Sequence, residues 1–306
     1  MANKVVIIGS TNVDKILNVE RFVKPGETLH LQNAQKIYGG GKGANQALAT
    51  ARSNAETTFI SKIGMEGDAD FMLKDFEQAN INTNHIMTTE ETQTGQAFIT
   101  IDANGQNTIL VYGGANMELN DDDVNQAADA IADADYIIAQ LEVPVPTIIS
   151  AFKIARDNHV TTILNPAPAR DLSQDLLTLT DIIIPNETEA ELLSGIPVTS
   201  RDSMHKNASY FLSLGMKLVI ITLGEQGTYY ATSEAAGHIP SFKVKAVDTT
   251  AAGDTFIGAL ASRLNMNDFN IEESITYANK AASITVQVEG AQKSIPLEAD
   301  VLKAYK

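Results

Sequence analysis

A chain of 306 residues with 44% hydrophobic content can bury a large core, and its length predicts about two domains or one large α/β unit. Its 22 Lys and Arg against 38 Asp and Glu leave a net charge of -16, which provides no electrostatic footprint for nucleic acid or an anionic membrane surface. Cysteine is absent, which excludes disulfides, thiolate metal sites and cysteine nucleophiles.

Met1 to Ser10 carries one Lys and an apolar run of only Val5 to Ile8, too short for a signal-peptide core. No segment approaches the roughly 18 apolar residues of a membrane span, so the expectation is a soluble cytoplasmic protein. Short apolar runs ending in polar or Gly residues recur at 5–9, 57–64, 136–141, 161–164, 182–184 and 218–223. Between them lie helix-period stretches at 45–53, 71–79, 145–158, 188–194 and 204–214. This alternation predicts an α/β fold, a mostly parallel central sheet with helices on both faces, in which ligands sit beyond the carboxyl ends of the strands.

Two places break the rhythm. Residues 98–101 and 108–111 flank Asp102-Ala103-Asn104-Gly105, where Asn-Gly is a strong hairpin signal, and residues 28–38 after Pro25-Gly26 read as extended. With no helices to cover them, these segments are assigned to a small β lid. The expected division is a core of 1–14, 39–93 and 114–306 and a lid of 15–38 and 94–113.

Ser10-Thr11-Asn12-Val13-Asp14 follows the first strand, and alternation puts Asn12 and Asp14 on one side of an extended backbone. Asp14 can accept from two vicinal hydroxyls, while Asn12 both donates and accepts; a local Asx turn is the plainer reading. Gly39-Gly40-Gly41-Lys42-Gly43-Ala44-Asn45 opens a helix that includes Gln46. It superficially matches the dinucleotide fingerprint, but polar Gln32-Asn33-Ala34-Gln35-Lys36 stands where a buried strand is required. A Walker loop fails too, because Gly43 stands where Ser or Thr must bind magnesium. What remains is a glycine run that brings backbone N–H groups, Lys42 and Asn45 to one spot, suited to a polyhydroxylated ligand.

Pro185-Asn186-Glu187-Thr188-Glu189 ends a strand and begins a helix whose stop is signalled by Gly195. It reads either as a capping box or as a phosphate-proximal pair in which Glu189 holds magnesium through water. Thr222-Leu223-Gly224-Glu225-Gln226-Gly227 ends another buried strand, with glycines that permit a close turn round a flat nucleotide. Asp248-Thr249-Thr250-Ala251-Ala252-Gly253-Asp254 joins an alternating strand at 242–247 to a helix beginning near Thr255. Small residues ahead of a helix N-terminus suit phosphate, and Asp254 can take a proton from a hydroxyl beside it; a plain Asp-capped helix is the alternative.

The Gly-Gly-Lys-Gly-Ala-Asn run at 40–45, the Asp-Thr-x-Ala-Ala-Gly-Asp run at 248–254, Asn165-Pro166-Ala167-Pro168-Ala169-Arg170 and the 185–189 segment together identify a resemblance. Over essentially its whole length the chain resembles the ribokinase-like family of carbohydrate and nucleoside kinases. The resemblance implies ATP-dependent phosphorylation of D-ribose at its 5-hydroxyl, giving D-ribose 5-phosphate and ADP. It implies that Asn12, Asp14, Gly41, Lys42, Asn45 and Glu142 hold the sugar, that Asp254 is the base, and that N–H groups of Ala251, Ala252, Gly253 and Asp254 form the anion hole. ATP would touch Asn186, Thr222, Gly224, Gly227, Gly253 and Asn279, with magnesium bordered by Asn186 and Glu189. A potassium site would fall at Asp248, Thr250, Thr285, Val288, Gly290 and Ser294. Asn279 stands where the family often carries His, and Asn54 replaces a glycine often found after Arg52-Ser53. A kinase for 2-deoxyribose or another small sugar or nucleoside shares the phosphoryl machinery, and a silent sugar sensor belongs to a different class. The apolar lid edge at 98–111 suggests a homodimer formed lid to lid.

Overall fold

The computed structural model describes residues 2–31, 33–266, 268 and 270–305; Gln32 of the polar stretch before the glycine run lies outside them, as does Met1. Strands in chain order are β1 (Lys4–Ile8), β2 (Asn12–Asn18), β3 (Lys36–Gly40), β4 (Glu56–Gly64), β5 (Asn82–Thr89), β6 (Gly95–Ile101) and β7 (Asn107–Tyr112). They continue with β8 (Tyr136–Ala139), β9 (Thr161–Leu164), β10 (Ile182–Ile183), β11 (Leu218–Thr222), β12 (Thr228–Ala231) and β13 (Ala236–Ile239). Nine of them form one sheet in the order β13-β12-β11-β10-β9-β8-β1-β4-β5, parallel from β5 to β11 and antiparallel through β12 and β13.

Alternation within β1 shows why the sheet is covered on both faces. Val5 and Ile7 join one apolar cluster with Leu48, Phe59 and Leu260, whereas Val6 and Ile8 join another with Ile148 and Phe152. Each such Ile or Phe contributes about 1.5–3 kcal/mol by leaving water. Helices Lys42–Arg52, Ala252–Arg263 and Ile271–Thr285 therefore pack on one side and Val145–Asp157 on the other. This is the α/β architecture expected.

A second, four-stranded sheet has the order β3-β2-β6-β7. Its outer strand β7 is exposed at every residue although it carries Ile109, Leu110 and Val111. Within the stretch 28–38 that reads as extended, only residues from Lys36 onward form a ladder.

The structure corrects the strand expected at 242–247. Its alternation is real, with Phe242 and Val244 half-buried between exposed Lys243 and Lys245, but it forms no ladder. β13 has already closed the sheet edge at Ile239, and Phe242 instead stacks on Tyr305, ring centroids 4.8 Å apart. The helix that follows begins at Ala252, a turn earlier than near Thr255.

Candidate active site

Consecutive strands β8, β9, β10 and β11 end at one edge of the large sheet, with Thr222 the last residue of β11 and Glu142, Asn165 and Asn186 just beyond the others. Helix Ala252–Arg263 turns its N-terminus toward the same edge. Lys42, Asn165, Asn186, Glu189, Thr222, Ala251, Gly253 and Asp254 line a cleft of about 220 Å³ there. Ala251 is the N-cap in left-handed conformation, φ 62°, and supplies no side-chain bond. A non-glycine residue held this way costs on the order of 1–3 kcal/mol, and such strain gathers at functional turns. Asp254 is therefore not the cap of its helix; it sits one turn in, with its carboxylate committed elsewhere.

That commitment is to the neighbouring helix. Asn45 Nδ2 donates to Asp254 Oδ2 and Gln46 Nε2 to Asp254 Oδ1, both at 2.9 Å. The two helices can come this close because residue 258 is glycine: a Cβ there would stand 2.6 Å from the Ala49 Cβ and 2.7 Å from the Gln46 carbonyl oxygen. Gln46 is in turn held by Gln140, whose Nε2 donates to Gln46 Oε1 at 2.6 Å, and by Asn165 Oδ1 at 3.1 Å.

Burial, then Glu142, then Asp254 push the Asp14 carboxyl up to about 7. Asp14 lies in β2 opposite Tyr38 of β3, and its carboxylate reaches over Gly40, where any Cβ would fall 2.1 Å from its Oδ2. Asn12 Oδ1 accepts from Asn116 Nδ2 at 2.7 Å, which fixes the amide. Glu142 Oε2 accepts from the Ser10 hydroxyl at 2.5 Å and from the Lys42 backbone N–H at 3.1 Å. Gly41 caps helix Lys42–Arg52 with φ 90°, and a Cβ on Gly43 would stand 2.5 Å from the Gly9 carbonyl carbon, so a Walker-type Ser or Thr cannot fit there. Burial by itself would favour a neutral Lys42 amine, but Asp254, Glu142 and Glu189 together hold its pKa above the usual value.

Asn186 and Glu189 form the capping box: Glu189 N donates to Asn186 Oδ1 and Asn186 N to Glu189 Oε2, each at 2.9 Å. The same Glu189 lines the cleft, so capping and a role toward the cleft are compatible. Burial raises its pKa, against the pull of the Asn186 N–H and Lys42. Thr222 donates its N–H to the Pro185 carbonyl at 3.0 Å, tying the two strand ends together. Gly224 and Gly227 bound the short turn beyond β11, where Gly227 N donates to Gly224 O at 3.2 Å. The Asn279 amide is engaged at both ends, accepting from Thr228 Oγ1 at 2.7 Å and donating to the Ile239 carbonyl at 3.3 Å. Gly224, Gly227 and Asn279 are not part of the cleft wall.

Behind the anion turn, Asp248 Oδ1 accepts from the Thr250 hydroxyl and N–H, and its Oδ2 from the Gly290 N–H. Burial opposes ionisation of Asp248, yet these donors hold its carboxyl below the usual range. Thr285 Oγ1 meets Thr255 Oγ1 at 3.0 Å. Val288 is exposed, and the Ser294 hydroxyl bonds inside its own turn to the Ala291 carbonyl.

Sequence reasoning gave no role to Ser10, Gln46, Asn116 or Gln140, and none in the chemistry to Asn165. Asn165 did carry a signal, since it directly follows a strand at its carboxyl end. Asn116 carried none; it reaches Asn12 from the turn Gly114–Glu118.

The model of the pfkB family of carbohydrate kinases matches residues 2–298. The ribokinase of Staphylococcus aureus (strain COL) is 63% identical over 301 residues, 98% of this chain and 99% of that protein. The deoxyribokinase of Salmonella typhi is 36% identical over 293 residues, 95% of each. The structure of Arabidopsis thaliana ribokinase complexed with ribose and ATP is similar with a TM-score of 0.91 at 30% identity, covering 99% of this chain and 98% of that one.

Proposed function

We infer the reaction from one premise: the chain belongs to the pfkB family of carbohydrate kinases. It transfers the γ-phosphoryl group of ATP to the 5-hydroxyl of D-ribose, giving D-ribose 5-phosphate and ADP. The observation that carries this reading is Asp254, a carboxylate at a strained helix N-terminus, held by Asn45 and Gln46 and facing the cleft shared with Lys42 and Glu189.

Ribose hydroxyls bind to Asp14, Asn12, Asn45 and Glu142, with Lys42 and the Gly41 turn closing round them. Asn12 acts chiefly as a donor, because its Oδ1 is already engaged by Asn116. Asp254 accepts the 5-hydroxyl proton as that oxygen attacks the γ-phosphorus in line. The N–H groups of the 251–254 turn other than that of Ala252, which donates to the Thr249 carbonyl, point at the charge that builds on the phosphoryl oxygens. The small sheet covers the pocket and excludes water from the reacting hydroxyl.

ATP spans Asn186, Thr222 and Gly253, with Gly224 and Gly227 shaping the turn beyond. Asn279 serves by pinning that turn's β12–β13 hairpin instead of touching adenine with its amide. The donor set fits magnesium: Glu189 offers one carboxylate, and magnesium favours few carboxylates, retained waters and substrate phosphates. When bound there it neutralises the transferring phosphates. A potassium ion fits the region behind the anion turn, where Asp248 draws Thr250 and Gly290 together, and it would supply fixed positive charge. Thr285 lines the same side, while Val288 and Ser294 contribute backbone only.

Two copies associate through the exposed apolar edge of β7, which an unpaired strand of this length otherwise leaves open to aggregation. Among the described residues no helix is long and apolar enough to cross a membrane. An ATP-consuming reaction on a free sugar suits the cytoplasm. The test is ADP release with D-ribose, 2-deoxy-D-ribose and a nucleoside panel. D-Ribose should lead by the roughly 10- to 150-fold that one unmet bond to a buried charged acceptor such as Asp14 implies. Equal use of 2-deoxyribose would transfer the assignment to a deoxyribokinase.

A further inference from the structure

Both oxygens of Asp254 are met by neutral amides, and the two amides are not equivalent. Asn45 leaves its own Oδ1 buried with no hydrogen-bond partner, so its orientation is set by Asp254 alone. Gln46 is held at both ends. A carboxylate only accepts, so the amide nitrogen of Gln46 must face Asp254 Oδ1, and the same nitrogen also donates to Asn165 Oδ1. Asn165 is fixed in turn by donating its Nδ2 to the Ile184 carbonyl at 3.1 Å. The Gln46 Oε1 accepts from Gln140 Nε2 at 2.6 Å, and Gln140 packs into space left by Gly9, where a Cβ would stand 2.1 Å from its Oε1. Gln46 and Gln140 are wholly buried. The chain Gln140, Gln46, Asp254 thus has one polarity and runs from β8 to the cleft.

We propose that Gln46 is a positioning residue for phosphoryl transfer, holding the Asp254 carboxylate in the rotation that keeps a free lone pair toward the acceptor hydroxyl. Gln140 and Asn165 orient Gln46. This rests on the reading of Asp254 as the base. The competing explanation is a buried glutamine that only staples two helices to the sheet.

Gln46→Leu, Gln140→Leu and the double variant separate the two. Positioning predicts that Gln46→Leu lowers kcat by about 10- to 100-fold, as small misplacements of reacting groups do, with the KM for sugar and for ATP each within about threefold. Gln140→Leu, which touches no reacting group, should lower kcat several-fold, and should add nothing in the Gln46→Leu background. If Gln46→Leu does not fold, the kcat and KM values of Gln140→Leu decide alone. Variants that melt earlier but keep wild-type kcat well below their Tm overturn the proposal, as does a rise in sugar KM that accounts for the whole loss. Each ratio is taken to wild type on the sugar it phosphorylates fastest, so a failed ribose assignment leaves the proposal standing. Retained turnover in Asp254→Asn, by contrast, removes the base and the proposal with it.

Discussion

Replacing Asp254 with Asn removes the proposed base while the surrounding bonds can still be satisfied. Asp254 accepts one amide hydrogen at each oxygen, so an Asn side chain keeps one acceptor, for Gln46, and turns its NH2 toward Asn45. Asn45 can answer by turning its amide over, because its Oδ1 has no other partner. The folded state therefore loses no hydrogen bond. Asp254→Ala is different, since it strands two buried donors at about 1–3 kcal/mol each. Both variants should lose turnover by about 10²–10⁴, the share of a general base, which is about 2.7–5.5 kcal/mol of barrier. Thermal unfolding should show Asp254→Asn within a few degrees of wild type and Asp254→Ala clearly below it. Steady-state assays with saturating ATP measure the first effect and calorimetry the second. An Asn variant that keeps tenths of the wild-type kcat would refute the reasoning.

Three further outcomes follow from the same geometry. Asp14 holds its proton up to about pH 7 in the fold against 3.8 for an ordinary aspartate, so its contribution to stability is fully present below about pH 4 and is lost as pH rises through 7. Ribose hydroxyls donate to the charged form, so ribose binding should release a proton near pH 6.5 and tighten toward pH 7.5; calorimetry in buffers of different ionisation enthalpy reads this, and pH-independent affinity contradicts it. Gly258→Ala should cost about 1–3 kcal/mol by overpacking and lower kcat by prising Asn45 and Gln46 from Asp254, whereas wild-type Tm and kcat together would show the helix contact to be slack. Potassium should raise activity at fixed ionic strength and magnesium, and equal rates in tetramethylammonium would remove the cation from the account.

Local chemistry made much of the site readable before any coordinates. A run of small residues at 248–254 announces a turn that a ligand can approach, and the glycines at 39–43 announce another. The capping pair at Asn186 and Glu189 was also legible, including its two compatible meanings. What stayed hidden depends on partners distant in sequence. Gln46 and Gln140 are unremarkable amides until Gly258 and Gly9 let three elements close on one carboxylate. The misread strand at 242–247 has the same origin, because alternation describes a strand's faces and says nothing of whether a neighbour offers a ladder. β12 and β13 also went unread, and they are the antiparallel strands that close the large sheet outside its parallel rhythm.

The central claim is that the γ-phosphoryl group of ATP goes to the 5-hydroxyl of ribose. Its most direct measurement is phosphorus–proton correlation NMR on the product formed from D-ribose and ATP, beside the same reaction with 5-deoxy-D-ribose. The account predicts a single phosphomonoester coupled to the C5 protons and no product from the 5-deoxy sugar. Phosphate on C1, or turnover of the 5-deoxy sugar at a comparable rate, would contradict it.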